Sequence, residues 1–200
     1  MKLKKITALL IAAALLVGVT ACGNNSQNPD NPSDTTTDQG TASEATSDPL
    51  KFLNGIWDSY SDDEKFPASG GNGDGNLVDD APGKFEFNAS EIDRLLGYPE
   101  GSADKIDSVA SLFHMMNLNT FSAGAYHLKD ASDAADIAKA IRDDIQARHW
   151  MCGFPDKLIV VSVGSIVVSA FGFEELIDTF RDKIVAAYPD ATVSFDEAIQ

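Results

Sequence analysis

The feature that most restricts the fold is a hairpin signature in the last quarter of the chain. Two apolar runs, residues 158–163 and 166–171, flank a Gly-Ser dipeptide at 164–165. A two-residue connection of this kind predicts a tight β-turn and sets which residues of the two strands lie opposite each other. The predicted pairs, all on one face of the sheet, are Val163 with Ile166, Val161 with Val168 and Ile159 with Ala170. That face is expected to lie in the core, whereas the other face carries Ser162 and Ser169 and is expected to be half covered.

Similar patterns predict the remaining elements of a single domain over residues 50–200, a length that suits one hydrophobic core. Helical periodicity predicts four helices, over 50–60, 91–96, 134–145 and 173–188; Ser90 is the expected cap of the second, and Asp130 or Ser132 that of the third. Strands are predicted over 109–116 and 121–128, with a short edge strand over 191–195. A loop is predicted over 70–83. From the first hairpin onward the predicted order is ββαββα. Two hairpins and two amphipathic helices indicate an α+β fold, an antiparallel sheet with its helices packed on one face.

The N-terminus has the pattern of an export signal. Three lysines among the first five residues precede an apolar stretch over residues 6–19, which is too short for a permanent membrane helix. The stretch ends in Val-Thr-Ala-Cys at 19–22, which resembles the lipobox of bacterial lipoproteins. The resemblance implies that Cys22 takes a diacylglycerol and that residues 1–21 are removed. The alternative is an ordinary signal peptide in which Cys22 stands by chance.

Residues 22–49 are expected to form a disordered tether between the lipid and the domain. After Cys22 the segment has no aromatic residue, no Val, Ile or Leu and no basic residue. Such a chain cannot bury enough apolar surface to offset the entropy lost on ordering it. A flexible chain of this length has a reach of roughly 30 Å. The protein is therefore expected to be secreted and held at the outer face of the cytoplasmic membrane by its lipid, because two acyl chains suffice for stable anchoring.

The charge balance excludes some classes of partner. The chain carries 15 basic and 31 acidic residues, a net charge of −16, and residues 50–200 alone carry 12 and 26. Nucleic-acid binding needs clustered Lys and Arg, so a nucleic-acid partner is not expected. Anionic lipid repels such a chain, so the acyl chains rather than a basic patch are expected to provide the anchor. The expected partner is an extracytoplasmic protein, peptide or cell-wall component.

Over residues 91–190 the chain resembles the domain of unknown function called DUF4358, which occurs on lipoproteins and membrane-anchored proteins of Firmicutes. The resemblance rests on three segments: LLGYPEGSADKI at 95–106, FSAGAYHLKDASDAADIAKAI at 121–141 and DKLIVVSVGSIVVSAFG at 156–172. The family offers no known active site whose residues could be transferred to this chain. The resemblance implies a surface-anchored module of a Gram-positive anaerobe.

A segment rich in Gly and Asp at 70–83 holds the best candidate for a metal site. Its centre partly matches a calcium loop, in which alternate oxygen ligands surround a glycine, here Gly75. In that register the first and last ligand positions fall on Gly70 and Ala81, whose side chains cannot ligate. The alternative is a solvated acidic turn. The candidate calcium ligands are Asn72, Asp74, Asn76, Asp79 and Asp80.

The histidines and four large apolar residues have simpler interpretations. His114, His127 and His149 have neither histidines one helical turn away nor a Cys-x-x-Cys motif beside them. A zinc site needs three or four converging ligands, so none is expected. Met115 and Met116, like Trp57 and Trp150, could line a ligand groove but are expected in the core.

Two functional hypotheses from different classes remain. The chain has no phosphate-binding glycine loop and no serine-hydrolase elbow. The first hypothesis is a non-enzymatic, lipid-anchored module that binds a ligand at the cell envelope without a cofactor. The second is an extracytoplasmic enzyme whose nucleophile is Cys152. Because Trp150, Met151 and Phe154 surround Cys152 in the sequence, a buried and inert thiol is expected; an exposed one could be activated by Arg148 and His149.

Overall fold

A computed structural model describes residues 46–72, 76–151 and 153–200. They form an α+β domain with an open antiparallel sheet of eight strands. The helices are α1 (Pro49–Asp58), α2 (Ala89–Leu96), α3 (Ala134–Ala147) and α4 (Glu174–Ala187), with 3₁₀ turns at Glu100–Lys105 and Ala131–Asp133. The strands are β1 (Ala68–Gly70), β2 (Val78–Asp79), β3 (Gly83–Lys84), β4 (Ile106–His114), β5 (Phe121–Leu128), β6 (Lys157–Val163), β7 (Ile166–Gly172) and β8 (Thr192–Ala198). No helix within these ranges has the length and apolarity that a membrane span requires.

The strands lie in the order β2-β1-β4-β5-β7-β6-β8, and β3 lies beside β4. The C-terminal hairpin has the predicted register, with Val163 opposite Ile166, Val161 opposite Val168 and Ile159 opposite Ala170. Strand β7 pairs along its other edge with β5, so the two hairpins meet at the centre of the sheet. The predicted edge strand is present as β8, which pairs with β6 and continues to Ala198.

Helices α1 and α4 cover the face of the sheet that the hairpin register predicts to be core. Their apolar side chains repeat at helical spacing and therefore form one stripe per helix, which packs against the sheet. The fully buried members of this contact are Phe52, Leu53 and Ile56 of α1 and Ile177, Phe180 and Ile184 of α4. Trp57 is buried in the same cluster. The prediction that this face forms a core is confirmed.

The prediction that the helices lie on one face is wrong, because α2 and α3 cover the opposite face. Residues Ile92 and Leu96 of α2 and Ile137, Ile141 and Ile145 of α3 form a second core cluster with Leu158, Val160, Val167 and Phe171 of the sheet. The four apolar side chains that the hairpin places on this face are therefore buried, whereas Ser162 is partly exposed, so the face is more covered than predicted. Ser169, whose polarity suggested exposure, is fully buried and its Oγ lies 3.1 Å from the hydroxyl oxygen of Tyr126. Burial of a serine is tolerated where a hydrogen bond satisfies it.

Residues 68–84, which overlap the predicted loop, contain three short strands. Strands β1 and β3 both pair with β4, and β2 pairs with β1. Gly70 and Gly83 allow two backbone segments to touch, since a Cβ added at Gly70 would lie 1.9 Å from the nitrogen of Gly83. The backbone N–H of Gly71 donates to Oγ of Ser111 over 2.9 Å. The described part of this segment is therefore packed onto the sheet edge.

Two helix starts differ slightly from the prediction. Asn88, rather than Ser90, caps α2, and its Oδ1 accepts a hydrogen bond from the backbone N–H of Glu91 over 3.3 Å. Gly97 ends the helix as expected, in the left-handed conformation with φ 74°. Asp130 is a cap as predicted, but it begins the 3₁₀ turn that leads into α3. Displacements of one or two residues are common because several polar residues near a helix start compete for the same free N–H groups.

Candidate binding face

The chain enters the domain at one end of the sheet, beside the turn between β6 and β7. Ser165 in this turn donates a hydrogen bond from Oγ to the carbonyl oxygen of Thr46, 3.0 Å away. The backbone N–H of Leu128 donates to the carbonyl of Ser165 over 2.8 Å, so β5 also ends here. We call this the tether end. Strand β6 has seven residues, and at roughly 3.3 Å per residue it places the other end of the sheet, the distal end, roughly 20 Å away.

Three loops meet at the distal end. They are the turn over 115–120 between β4 and β5, the residues 148–151 and 153–156 before β6, and the junction over 172–175 between β7 and α4. Nδ2 of Asn119 donates to the carbonyl of Gly153 over 3.1 Å. The backbone N–H of Phe173 donates to the carbonyl of Thr120 over 2.9 Å. These hydrogen bonds join the three loops into one surface.

The distal end carries a cluster of exposed apolar side chains. The three most exposed large hydrophobic residues of the described ranges lie here: Met151 at 88%, Met116 at 79% and Phe154 at 70% exposure. The distal cluster, as we define it, consists of Met115, Met116, Leu118, Met151, Phe154 and Phe173. The prediction that Met115 and Met116 lie in the core is wrong, because β4 ends at His114 and the two methionines stand in the turn beyond it. Several exposed large apolar side chains on joined loops are typical of interaction sites.

A cleft of about 870 Å³ borders the distal cluster, between α2, the end of α3 and residues 148–151. Arg148 lines it, with Nη2 at 3.2 Å from Oδ1 of Asp93 and 3.0 Å from Oδ2 of Asp144. Its guanidinium carbon also lies 6.0 Å from the ring centroid of Phe171. Burial raises the pKa of Asp144 despite the neighbouring cation. Because both carboxylates are engaged with Arg148, this part of the cleft joins α2 to α3 and offers little free charge.

Trp150 gives the same cleft an aromatic wall. Its ring centroid lies 5.2 Å from that of Phe171. Its indole Nε1 is buried and has no hydrogen-bond partner among the described residues. Buried donors are nearly always paired, so this N–H is an exception among the described residues. Arg94, Asn119 and His149 supply the remaining polar lining.

Carboxylates stand on the other side of the distal cluster, around Phe173. Asp156, Glu174 and Glu175 line a depression of about 650 Å³ together with Phe173 and Leu176. The backbone N–H of Glu174 donates to Oδ2 of Asp156 over 3.3 Å. Acidic residues suit this position because they face the positive end of the α4 dipole. The three carboxylates, all exposed, form an acidic rim next to an exposed aromatic ring.

The candidate calcium ligands are in part engaged elsewhere. Oδ1 of Asn72 accepts from the backbone N–H of Glu86 over 2.7 Å, and its Nδ2 donates to the carbonyl of the same residue over 2.9 Å. Asp79 lies in β2, opposite Ser69, and the carbonyl oxygen of Asp80 accepts from Nε1 of Trp57 over 2.8 Å. Asp74 lies outside the described residues. Within the described ranges, no three His, Cys, Asp or Glu side chains group as metal ligands do.

The structure places the histidines apart from one another. His127 lies near the tether end with Nδ1 at 2.7 Å from Oδ1 of Asp107. His114 stacks on the ring of Phe66 with centroids 5.6 Å apart, and His149 lines the distal cleft.

Neither cysteine can be placed from the structure. Cys22 and Cys152 lie outside the described residues, and their predicted roles stay predictions. Of the three apolar neighbours that suggested a buried Cys152, Met151 and Phe154 are exposed. The pattern around Cys152 therefore gives less support for burial than the sequence suggested.

No known protein family, curated protein or solved structure matches this chain. The resemblance to DUF4358 therefore stays a prediction from the residues, and the candidate site is defined by geometry alone. Sequence reasoning missed the distal cluster, because its members come from three loops that are distant along the chain. Two signals were available, the large apolar residues at 150–154 between a predicted helix end and a predicted strand, and the methionine pair at 115–116.

Proposed function

We propose that this protein is a lipid-anchored binding module that holds a partner protein outside the cytoplasmic membrane, without catalysis. In this proposal Cys22 carries the lipid and residues 23–49 serve as the tether. The elements from β4 to α4 follow the order ββαββα in this proposal. The domain presents its distal end to the partner. A reach of roughly 30 Å for the tether would hold the domain clear of the lipid headgroups.

The observation that carries this proposal is the position of the distal cluster. Thr46, the first described residue, contacts the β6–β7 turn, whereas Met116, Met151 and Phe154 stand at the opposite end of the sheet. An anchor upstream of Thr46 would leave that end free to meet partners. Methionine adapts its shape to a contact surface, and an exposed Phe fits a partner's pocket, so the composition suits protein recognition.

Site-specific photocrosslinking in living cells tests the proposal. Benzoylphenylalanine replaces Met116 in the full-length protein, and the matched control replaces Asp190, an exposed residue at the tether end. The expected result is a discrete crosslinked species from position 116 and none from position 190. The species is expected to disappear when Phe154→Ser is added and to persist when Leu77→Ser is added, since Leu77 is also exposed (63%) but lies outside the distal cluster. Equal crosslinking from both positions, or none from position 116, would contradict the proposal.

A further inference from the structure

The charges around the distal cluster indicate which kind of segment it accepts. We infer that the distal end binds a cationic segment of a partner protein, in which Lys or Arg side chains accompany apolar ones. The apolar residues would contact Met151, Phe154 and Phe173, and the basic residues would meet the acidic rim. This inference rests on the proposed function and adds the chemistry of the partner.

The three carboxylates of the acidic rim form no ion pair within the described ranges, because Lys157, the cation nearest to them in sequence, bonds Asp178 and Asp196 instead. One turn further along α4, Oδ1 of Asp178 bonds both Nζ of Lys157 at 2.6 Å and Nη1 of Arg181 at 2.7 Å. By contrast, the ion pairs within the described ranges include neither Asp156 nor Glu174 nor Glu175. Their negative charge is therefore available to a partner.

The apolar and acidic groups are adjacent, so one segment can contact both. Phe173 immediately precedes the two glutamates and is 44% exposed. The helix dipole accounts for acidic residues at the start of α4 but not for an exposed aromatic ring beside them. Apolar anchors surrounded by complementary charge are the usual composition of a specific interface.

Charge complementarity also favours a cationic segment over two other partners of an apolar surface, a second copy of this chain and a membrane. Two copies of this chain would bring two acidic rims together, and residues 50–200 of each copy carry 26 acidic against 12 basic residues. A membrane with anionic lipids would repel the same surface. A cationic segment is the occupant that gains from the apolar cluster and from the carboxylates together.

The test uses the full-length lipidated protein in phosphatidylcholine nanodiscs. The probe is a fluorescent amphipathic peptide made of Leu and Lys, and binding is measured by biolayer interferometry with empty discs subtracted. A peptide of the same pattern made of Leu and Glu is the charge control. Saturable binding of the Leu/Lys peptide and no binding of the Leu/Glu peptide are expected; no binding of either peptide would overturn the inference.

Matched variants separate local recognition from the general attraction of an acidic protein. The double substitution Glu174→Gln with Glu175→Gln is expected to weaken the peptide by about fivefold to tenfold and to reduce its salt dependence. Asp104→Asn with Asp190→Asn changes the net charge equally, on exposed residues at the tether end, and is expected to leave affinity within about twofold.

Met151→Ser with Phe154→Ser is expected to remove binding, and Leu77→Ser to preserve it. Equal losses from both acid pairs would overturn the inference.

Two further readouts address the other occupants and the proposed function. The first readout uses discs that contain phosphatidylglycerol. If the domain contacts these discs through its distal end in addition to its lipid anchor, and Met151→Ser with Phe154→Ser abolishes that contact, the occupant is a membrane and the inference is overturned. If mass photometry finds dimers that the same variant dissociates, the occupant is a second copy, with the same consequence. If the crosslink from position 116 forms but is unchanged by the Glu174 and Glu175 substitutions, the proposed function stands and the charge inference fails. If no crosslink forms, both fail.

Discussion

Tyr126 shows how a single residue joins the helices to the centre of the sheet. Its side chain is fully buried, and its hydroxyl donates to the carbonyl of Leu96 over 3.2 Å while lying 3.1 Å from Oγ of Ser169. Burial raises the pKa of Tyr126, so the phenol keeps its proton. Gly124 makes room for the ring, since a Cβ there would lie 2.3 Å from the tyrosine hydroxyl oxygen.

Removing this hydroxyl is expected to destabilise the domain. Tyr126→Phe leaves the carbonyl of Leu96 with only a longer contact to Ser169, at 3.5 Å. The free energy of unfolding is expected to fall by about 1 kcal/mol, the usual cost of a buried hydrogen bond. Urea denaturation followed by circular dichroism measures the change. Tyr188→Phe is the control, because the Tyr188 ring stacks on Phe52 without a hydroxyl hydrogen bond among the described residues; a loss as large as that of Tyr126→Phe would contradict the expectation.

Glu64 links the segment after α1 to α4 and makes stability depend on pH. Its Oε2 accepts from Nζ of Lys183 over 2.7 Å and from the backbone N–H and Oγ of Ser61 over 2.8 and 2.7 Å. The hydrogen bonds from Lys183 and Ser61 lower the pKa of Glu64 from 4.5 to about 2. A folded-state pKa below the unfolded one means that the carboxylate stabilises the fold above about pH 4.5 and that this contribution is lost as pH falls toward 2.

Glu64→Gln is therefore expected to reduce stability near neutral pH and to lose less on acidification than the native chain. The two curves of unfolding free energy against pH should converge between pH 4.5 and pH 2.5. Urea titrations across that range measure them. Glu100→Gln, at an exposed carboxylate of a 3₁₀ turn, is the control and should follow the native curve. Parallel curves for Glu64→Gln and the native chain would refute the assignment.

At the scale of elements, ion pairs and side-chain hydrogen bonds join the last strand to the helices. Nζ of Lys157 lies 2.7 Å from Oδ1 of Asp196, and Nη1 of Arg181 lies 2.6 Å from its Oδ2. Burial opposes ionisation, but the hydrogen bonds from Lys157 and Arg181 hold the pKa of Asp196 below its usual value. Gln146 of α3 donates to the carbonyl of Ala198 over 2.9 Å and accepts from the N–H of Gln200 over 3.0 Å. Such contacts occupy backbone groups of an edge strand that would otherwise be open to pairing.

Asp196→Asn is expected to loosen β8 without unfolding the sheet. The amide hydrogens of β8 should exchange about fivefold to tenfold faster, because local opening becomes easier when the ion pairs are lost. Amides of β7, which pairs with β5 and β6 and not with β8, should keep their rates, since they exchange through opening of the core. Hydrogen exchange with mass spectrometry measures both. Asp182→Asn is the control, because Asp182 is 69% exposed and pairs only with Arg181 among the described cations; equal acceleration in both variants would count against the role of Asp196.

At the scale of the whole molecule, the sheet is covered by helices on both faces. The hairpins β4–β5 and β6–β7 do not repeat each other in space together with their helices, because α3 and α4 lie on opposite faces. If the two hairpins and their helices were related by symmetry, the axis would be a two-fold axis normal to the sheet, between the antiparallel strands β5 and β7. Such an axis would place α3 and α4 on the same face of the sheet. Strands buried on both faces carry nearly continuous apolar sequences, which explains the long apolar runs in β6 and β7, each interrupted by one serine.

The lipid anchor is a prediction about the whole molecule, because it decides where the domain works. The native protein is expected to incorporate labelled palmitate and to have the mass of a lipidated chain that begins at Cys22. Cys22→Ala is expected to incorporate no label and to keep residues 1–21, since the lipid-dependent cleavage cannot proceed. Metabolic labelling with intact-mass analysis measures both. Cys152→Ser serves as the control and should be labelled like the native protein; label on Cys22→Ala would show that another residue carries the lipid.

What the sequence by itself determined is local and periodic. The pairing of Val161 with Val168 follows from a two-residue turn and the alternation of side chains along a strand, and the structure confirms it. The helical stripes and the stop at Gly97 follow in the same way, from 3.6-residue spacing and from a glycine that accepts a positive φ.

Only the tertiary structure decided which face each helix covers and which loops come together. An apolar stripe on a helix indicates which side of the helix is buried. It does not indicate which of the two faces of the sheet the helix packs against. Met116, Met151 and Phe154 lie up to 38 positions apart along the chain, and their meeting depends on how β4, β6 and α3 are packed. Long-range packing contacts of this kind leave no periodic signal in a single sequence, so the candidate binding face emerged only once the chain was folded.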